Sequence, residues 1–276
     1  MINIKKNYTI SIKLLIFLIL LIGCSSKEKD SATVVLNDIQ IYKTGLSSLE
    51  NENYKKAIIE FDNLSLNHPF SSLAKKSDIM TAYSLYQNNE IKKSISKLKI
   101  FIEMNPNDEF SDYAHYLLAM CYYIQVSNQG RDPSLSIKAL NSFMLIITKY
   151  PNSKYAKDSK LKIQYIKNSL ANNELDIGKF YLKKNAPASS IKRFKSILLN
   201  YQNTSSIPET LYRLTEAFLM IGLKKEAVKS DAVLKYNFPN SEWTNLSKSI
   251  LSDSSSSEEK KSLTSSIKNY FVTIFD

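Results

Sequence analysis

An all-α solenoid of stacked helical hairpins is the fold this sequence predicts, and three observations carry the prediction. The 276 residues include only five glycines and seven prolines, with 43% hydrophobic residues and many Leu, Ile, Lys and Ser, so few positions break a helix. Amphipathic stretches end repeatedly in a short proline turn: "LNHPF" at Pro69, "MNPND" at Pro106, "KYPNS" at Pro151 and "NFPNS" at Pro239, with "NYQNT" at Gln202 the same punctuation without its proline. These marks stand about 37, 45, 51 and 37 residues apart, which is the period of a helix-pair repeat.

The chain opens with Lys5 and Lys6 and then an apolar run that is uninterrupted only from Leu14 to Ile22. That is too short for a bilayer core, which takes about 20 residues. A basic start, a short apolar centre and a small final residue make a secretory leader, so residues 1–23 read as a signal peptide. Leu21-Ile22-Gly23-Cys24 resembles the lipobox of bacterial lipoproteins, in which cleavage leaves the cysteine first and acylated on sulfur and amine. Cys24 is the expected lipid attachment point, and residues 24–37 its tether. One acyl chain holds a protein only marginally at about 0.8 kcal/mol per buried CH₂, whereas several make departure very slow. Ser25 stands where an aspartate would signal inner-membrane retention, so the expected destination is the outer membrane, facing the periplasm.

Residues 38–250 read as about five tetratricopeptide (TPR) repeats, 34 residues each in the simple case. A TPR packs small residues where its two helices cross and large ones beside them. Gly45, Ala57 and Phe61 fill those slots in the first repeat, and Ala139 with Phe143 does so in the third. Phe194 fits in the fourth, and Leu211, Leu214, Phe218 and Ala227 fit in the fifth; the second is degenerate, with Thr81, Ala82, Leu85, Ser94 and Leu98. The pattern predicts helices near 38–51, 54–67, 73–88, 91–104, 109–127, 134–149, 154–184, 187–200, 206–221 and 224–237. Proline closes each second helix because it cannot donate the i→i−4 hydrogen bond. The stretch 154–184 is long for one TPR helix, and "SNQGRDPSL" before it reads as a loop insertion. From about 251 to 276 the Ser-rich "SDSSSSEEKKSLTSS" is low-complexity sequence, expected to be disordered.

Little in the chain points to chemistry. The only histidines are His68 and His115, no Cys or His spacing makes a metal site, and no glycine-rich phosphate loop or nucleophile motif occurs. His115 falls on the slot where TPRs bury a tryptophan, and Cys121 in "YLLAMCYYIQ" reads as a small core residue. An enzyme is not expected, nor any cofactor beyond the covalent lipid. The formal charge is +11, or +8 once the leader is gone, but the lysines form no dense basic run and no nucleic acid is expected.

TPR arrays bind with the groove lined by the first helix of each pair. By register the groove positions are Ile39, Tyr42, Leu46 and Leu49, then Lys76, Ile79, Tyr83 and Tyr86, then Tyr113, Tyr116, Met120 and Tyr123. Tyrosine offers apolar area and a hydroxyl at low entropy cost, which suits an extended peptide. Two readings stand: Tyr42, Tyr83, Tyr86, Tyr113, Tyr116 and Tyr123 line an open groove, or the array curls tightly and they pack on neighbouring helices.

The lipobox, the five repeats, "HPFSSLAKKS", "RDPSLSIKALNSFMLIITKYPNSKYAKDSKLKI" and "ASSIKRFKSILLNY" together resemble the BamD family, TPR lipoproteins of the outer-membrane β-barrel assembly (BAM) complex, over about Ile39 to Trp243. Arg131-Asp132-Pro133 followed by Tyr150-Pro151-Asn152-Ser153 is the most specific part. The resemblance implies a scaffold that docks on the POTRA domains of BamA, joins other BAM subunits and helps receive unfolded outer-membrane proteins. It also implies that Arg193 in "SIKRFKS" pairs with an acidic residue of the last POTRA domain; the planar guanidinium can give a carboxylate two parallel hydrogen bonds. Gln202 in place of proline and the Ser-rich tail depart from the pattern. A pilus-secretin pilotin or a cell-wall-linked adaptor would share lipobox and repeats, but not the Arg-Asp-Pro insertion or the matched arginine.

Overall fold

A computed structural model describes residues 37–126 and 133–252; the leader, Cys24 and most of its tether, Arg131-Asp132 and the tail from 253 lie outside the described residues. Among the described residues every regular element is a helix: α1 (Asp38–Glu50), α2 (Tyr54–Asn67), α3 (Ala74–Gln87), α4 (Ile91–Met104), α5 (Ser111–Tyr123), α6 (Ser134–Lys149), α7 (Ala156–Lys183), α8 (Pro187–Asn200), α9 (Ile207–Met220), α10 (Lys224–Asn237) and α11 (Glu242–Ser252). Consecutive helices pack on each other, as a solenoid requires. The first helices of neighbouring pairs also touch, α3 with α5 and α7 with α9, more closely than any two second helices do. The array therefore curls with its first helices inside.

The crossing points explain why these sequences pair. A Cβ on Gly45 would stand 2.7 Å from the Phe61 ring, and one on Gly178 only 2.2 Å from Phe194. Both rings are fully buried, so the missing side chains are what let the helices close. In the degenerate second repeat Ser94 takes the small slot, and its hydroxyl donates to the Ala82 carbonyl at 2.7 Å. In the fifth repeat the slot held elsewhere by Phe61, Phe143 and Phe194 contains Asp231, 4% exposed. Its carboxylate accepts from Ser247 of α11 at 2.6 Å and from Lys235. The sequence pattern stops at 237, so α11 is an addition, and its last residues, Leu251 and Ser252, fall where the tail was expected to begin.

Both kinds of turn repeat their geometry. After α1, α3, α7 and α9 the chain takes a left-handed residue, Glu52, Asn89, Asn185 and Gly222 with φ of 56°, 60°, 54° and 73°. The next amide then bonds five residues back, Asn53 to Ser48, Glu90 to Leu85, Ala186 to Tyr181 and Leu223 to Phe218, closing each helix in the same way. The proline turns are held by a side-chain oxygen that accepts from the amide two residues on: Ser71, Asp108, Ser153 and Ser241 accept from the amides of Leu73, Phe110, Tyr155 and Trp243. Ser71 and Ser153 also donate to Asp38 and Asp112, tying each turn to the start of the preceding first helix.

Helix α7 belongs to two cores at once. Ile163, Ile166 and Leu170 pack with Phe143 and Ile146 of α6, whereas Ala171 and Leu175 pack with Phe194 and Ile197 of α8. Its 28 residues fuse an extra segment to the first helix of the fourth repeat without a break. It is too polar to cross a bilayer, and no helix among the described residues is long and apolar enough to do so.

Candidate functional site: a tyrosine-lined inner face

The groove tyrosines project from α1, α3 and α5, where successive first helices turn the same face inward. The structure divides them. Tyr42 is 7% exposed and its ring meets Phe61 at 5.5 Å, so it belongs to the first core and offers a partner almost nothing. The reason is the Gly45 crossing, which draws the Phe61 ring under α1. Tyr83, Tyr86, Tyr113, Tyr116 and Tyr123 are half-buried, each with part of its ring outward.

They are coupled rather than free. Tyr116 stacks on Tyr155 at 4.7 Å and donates its hydroxyl to Asp158 of α7 at 2.7 Å. Tyr113 meets the same Tyr155 ring at 5.3 Å, and Tyr123 meets Tyr165 edge-on at 6.1 Å. Gln87 donates to the Tyr83 hydroxyl at 2.6 Å. Lys162 lies 5.0 Å over the Tyr123 ring and 3.6 Å from Asp158. Burial, reinforced by the neighbouring tyrosines, pushes the Tyr113 phenol well above its ordinary pKa; burial and the Asp158 bond do the same for Tyr116. These hydroxyls stay protonated at working pH; the Tyr116 proton is committed to Asp158, which leaves its oxygen as an acceptor. Tyr155, the residue before α7, and Tyr165 within it extend the ladder and escape the repeat register because that helix begins outside it. Tyr165 is 56% exposed and could have been found only by its i+7 and i+3 relation to Asp158 and Lys162.

Arg193 lies on α8, 40% exposed, with one terminal nitrogen 3.2 Å from both oxygens of Glu174 on α7. Its expected acidic partner is thus preceded by an internal one, which the sequence reading missed although Glu174 sits one turn from the Gly178 crossing. His115 is half-buried beside the Tyr150 ring at 5.6 Å, and its Nε2 has no partner among the described residues. Cys121 is fully buried and donates weakly to Ser94 at 3.4 Å; burial raises its thiol pKa, the opposite of what a nucleophile needs. Among the described residues no three His, Cys, Asp or Glu side chains stand where they could hold a metal ion.

Hairpins that turn one ring-lined face inward make a binding scaffold of the tetratricopeptide class. The likeness goes further than class: residues 36–234 match the YfiO family model, described as outer membrane lipoprotein, and the chain belongs to that family. Relatives described as outer membrane protein assembly factor BamD include one from Rickettsia prowazekii, 41% identical over 230 residues, covering 83% of this chain and 91% of the relative. Another, from Caulobacter vibrioides, is 37% identical over 80% of this chain and 73% of its own length. Among solved structures, the TPR2AB domain of yeast Sti1 in its pHSP90 complex overlaps 79% of this chain and 83% of its own, at 12% identity and a TM-score of 0.45. The repeat assignment rests on this chain's own hairpins.

Proposed function

We propose that this chain is a non-catalytic scaffold of the outer-membrane protein assembly complex, anchored by lipid on Cys24 and facing the periplasm. In this reading Arg193 meets an acidic residue on the POTRA domains of BamA, and the inner face of the first three repeats holds segments of unfolded outer-membrane proteins. The observation that carries the client role is the run of half-buried Tyr83, Tyr86, Tyr113, Tyr116 and Tyr123, continued by the more exposed Tyr165, across α3, α5 and α7, with protonated hydroxyls between the ring faces. Such a surface takes aromatic and apolar side chains of an extended strand without demanding one sequence. Folding of the client is driven by its own strand pairing, so the scaffold needs no nucleotide.

The test is crosslinking of full-length protein to a peptide copying an aromatic-rich strand of an outer-membrane barrel. Tyr83→Ala with Tyr86→Ala removes two rings that hold no bond to α7, and should cut the crosslinked fraction severalfold at a temperature where circular dichroism shows the variant still folded, since both rings also pack on the second-repeat core. An unchanged yield would remove the inner face from client binding.

A further inference from the structure

Four lysine pairs recur along the chain at one place in the architecture: Lys55-Lys56, Lys92-Lys93, Lys183-Lys184 and Lys224-Lys225. Each flanks the turn between the two helices of a hairpin, and those turns share one backbone geometry, so the pairs line one edge of the solenoid. All eight side chains belong to exposed residues. Lys93 reaches Glu90, and Lys184 lies 5.8 Å over the Phe180 ring. Lys55, Lys56, Lys92, Lys183, Lys224 and Lys225 make no ion pair among the described residues, although Lys55 stands close enough to Glu90 to help lower its carboxyl pKa.

The fourth and fifth repeats add apolar surface to the same edge. Phe180 is 55% exposed, Met220 44%, Ile221 41% and Leu223 47%, beside Lys183, Lys184, Lys224 and Lys225. The single acid within the α9–α10 turn region, Glu226, is engaged by Lys229 at 2.8 Å. The opposite edge, made by the proline turns, is mixed instead: Asp108 pairs with Lys75 at 2.9 Å, and Asp108, Glu109 and Asp112 line one hollow with Lys149.

From this juxtaposition we infer that the edge formed by the α7–α8 and α9–α10 turns rests on the surface of the bilayer, with lysines on anionic phospholipid headgroups and Phe180, Ile221 and Leu223 in the interface. A bilayer is the occupant that fits, because the family is one of outer membrane lipoproteins and the sequence places an acyl anchor at Cys24. The tether joins α1 at the proline-turn edge, but its chain length allows a reach of up to about 45 Å against the roughly 20 Å of α1, so the anchor leaves the lysine edge free to meet the leaflet. Each lysine within a Debye length of an anionic leaflet favours the docked state about fivefold. Exposed aromatic and aliphatic side chains between lysines are the composition of interfacial membrane contacts. The lipid fixes the protein to the membrane; the edge fixes which way it stands.

The test uses the full chain purified from outer membranes and reconstituted in vesicles. A nitroxide is placed at Leu223→Cys, or at Asn107→Cys on the opposite edge; Cys121 is fully buried and stays unlabelled. Collision rates with oxygen and with a water-soluble nickel complex then report immersion. In vesicles containing phosphatidylglycerol the label at 223 should gain oxygen contact and lose nickel contact severalfold, with no change at 107 and none in pure phosphatidylcholine. Raising salt to about 0.5 M should reverse the effect in the unmutated background. So should Lys183→Glu, Lys184→Glu, Lys224→Glu and Lys225→Glu together, once circular dichroism shows the array intact. A label at 223 that remains in water, or equal immersion at 107, would overturn the inference. Insensitivity to both salt and lipid charge would overturn it too. Loss of a protein partner by the charge-reversed chain without any lipid immersion would assign the edge to an acidic protein instead.

Discussion

Arg193 faces two claims, and exchanging charges with Glu174 separates them. The internal bridge is long at 3.2 Å, uses one guanidinium nitrogen, and joins groups 40% and 25% exposed. A pair so solvated contributes about 0.5–1 kcal/mol. Arg193→Glu also sets two carboxylates side by side, which adds about 1 kcal/mol of repulsion near water. Together these shift the melting temperature of a unit this size by roughly 4–8 °C at most. A docking contact is on another scale: losing one partner of a desolvated charge pair costs about 2–5 kcal/mol, about 30-fold to several thousandfold in affinity. The assay is thermal unfolding by circular dichroism beside affinity purification from detergent-solubilised outer membranes, for wild type, Arg193→Glu, and Arg193→Glu with Glu174→Arg. The expected outcome is that the single variant loses the POTRA-bearing barrel, and that the exchanged pair regains the melting temperature but not the barrel. Recovery of the barrel by the exchanged pair would show that Arg193 serves only the α7–α8 contact, and the docking argument would fall.

Other expectations follow from the same geometry. Gly178→Ala should lose about 1–3 kcal/mol from overpacking against Phe194, offset by about 1 kcal/mol of helix propensity, and should melt lower than Gly45→Ala because its clash is closer. Ser247→Ala leaves an oxygen of Asp231 short of a donor and should cost about 1–3 kcal/mol, with hydrogen exchange rising mainly in α11. Burial, helped by Lys149, holds the His115 pKa below its ordinary value, so the unfolded chain takes up a proton that the folded chain refuses. Stability should therefore be full above the ordinary histidine range and fall as pH drops below about 6.5, and His115→Gln should flatten that part of the slope in pH-dependent melts.

Much of the architecture is legible in the residues alone, because a hairpin repeat writes its crossing points and turns into fixed residue types. Gly45 with Phe61 and the proline turns locate helices to within a few residues. The fifth repeat was readable from Pro239 and Ala227, but its cap was not: Asp231 stands in an aromatic slot, and only the fold reveals that Ser247 reaches it. The inner face was legible as a register and not as a surface. Register marks Tyr42 as a groove residue just as it marks Tyr83, while burial depends on where the Phe61 ring goes. Arg193 shows the same gap, since nothing in the spacing of residues 174 and 193 announces that two helices bring them together.

Helix α7 gives the array a mechanical property that ordinary repeat proteins lack. Asp158, which holds Tyr116, and Glu174, which holds Arg193, ride on one unbroken rod about 24 Å apart along its axis. Between them there is no proline and no glycine to act as a pivot. A load placed on the ring-lined end cannot be absorbed by bending at a repeat boundary; it arrives at the arginine end as a tilt of the whole lever.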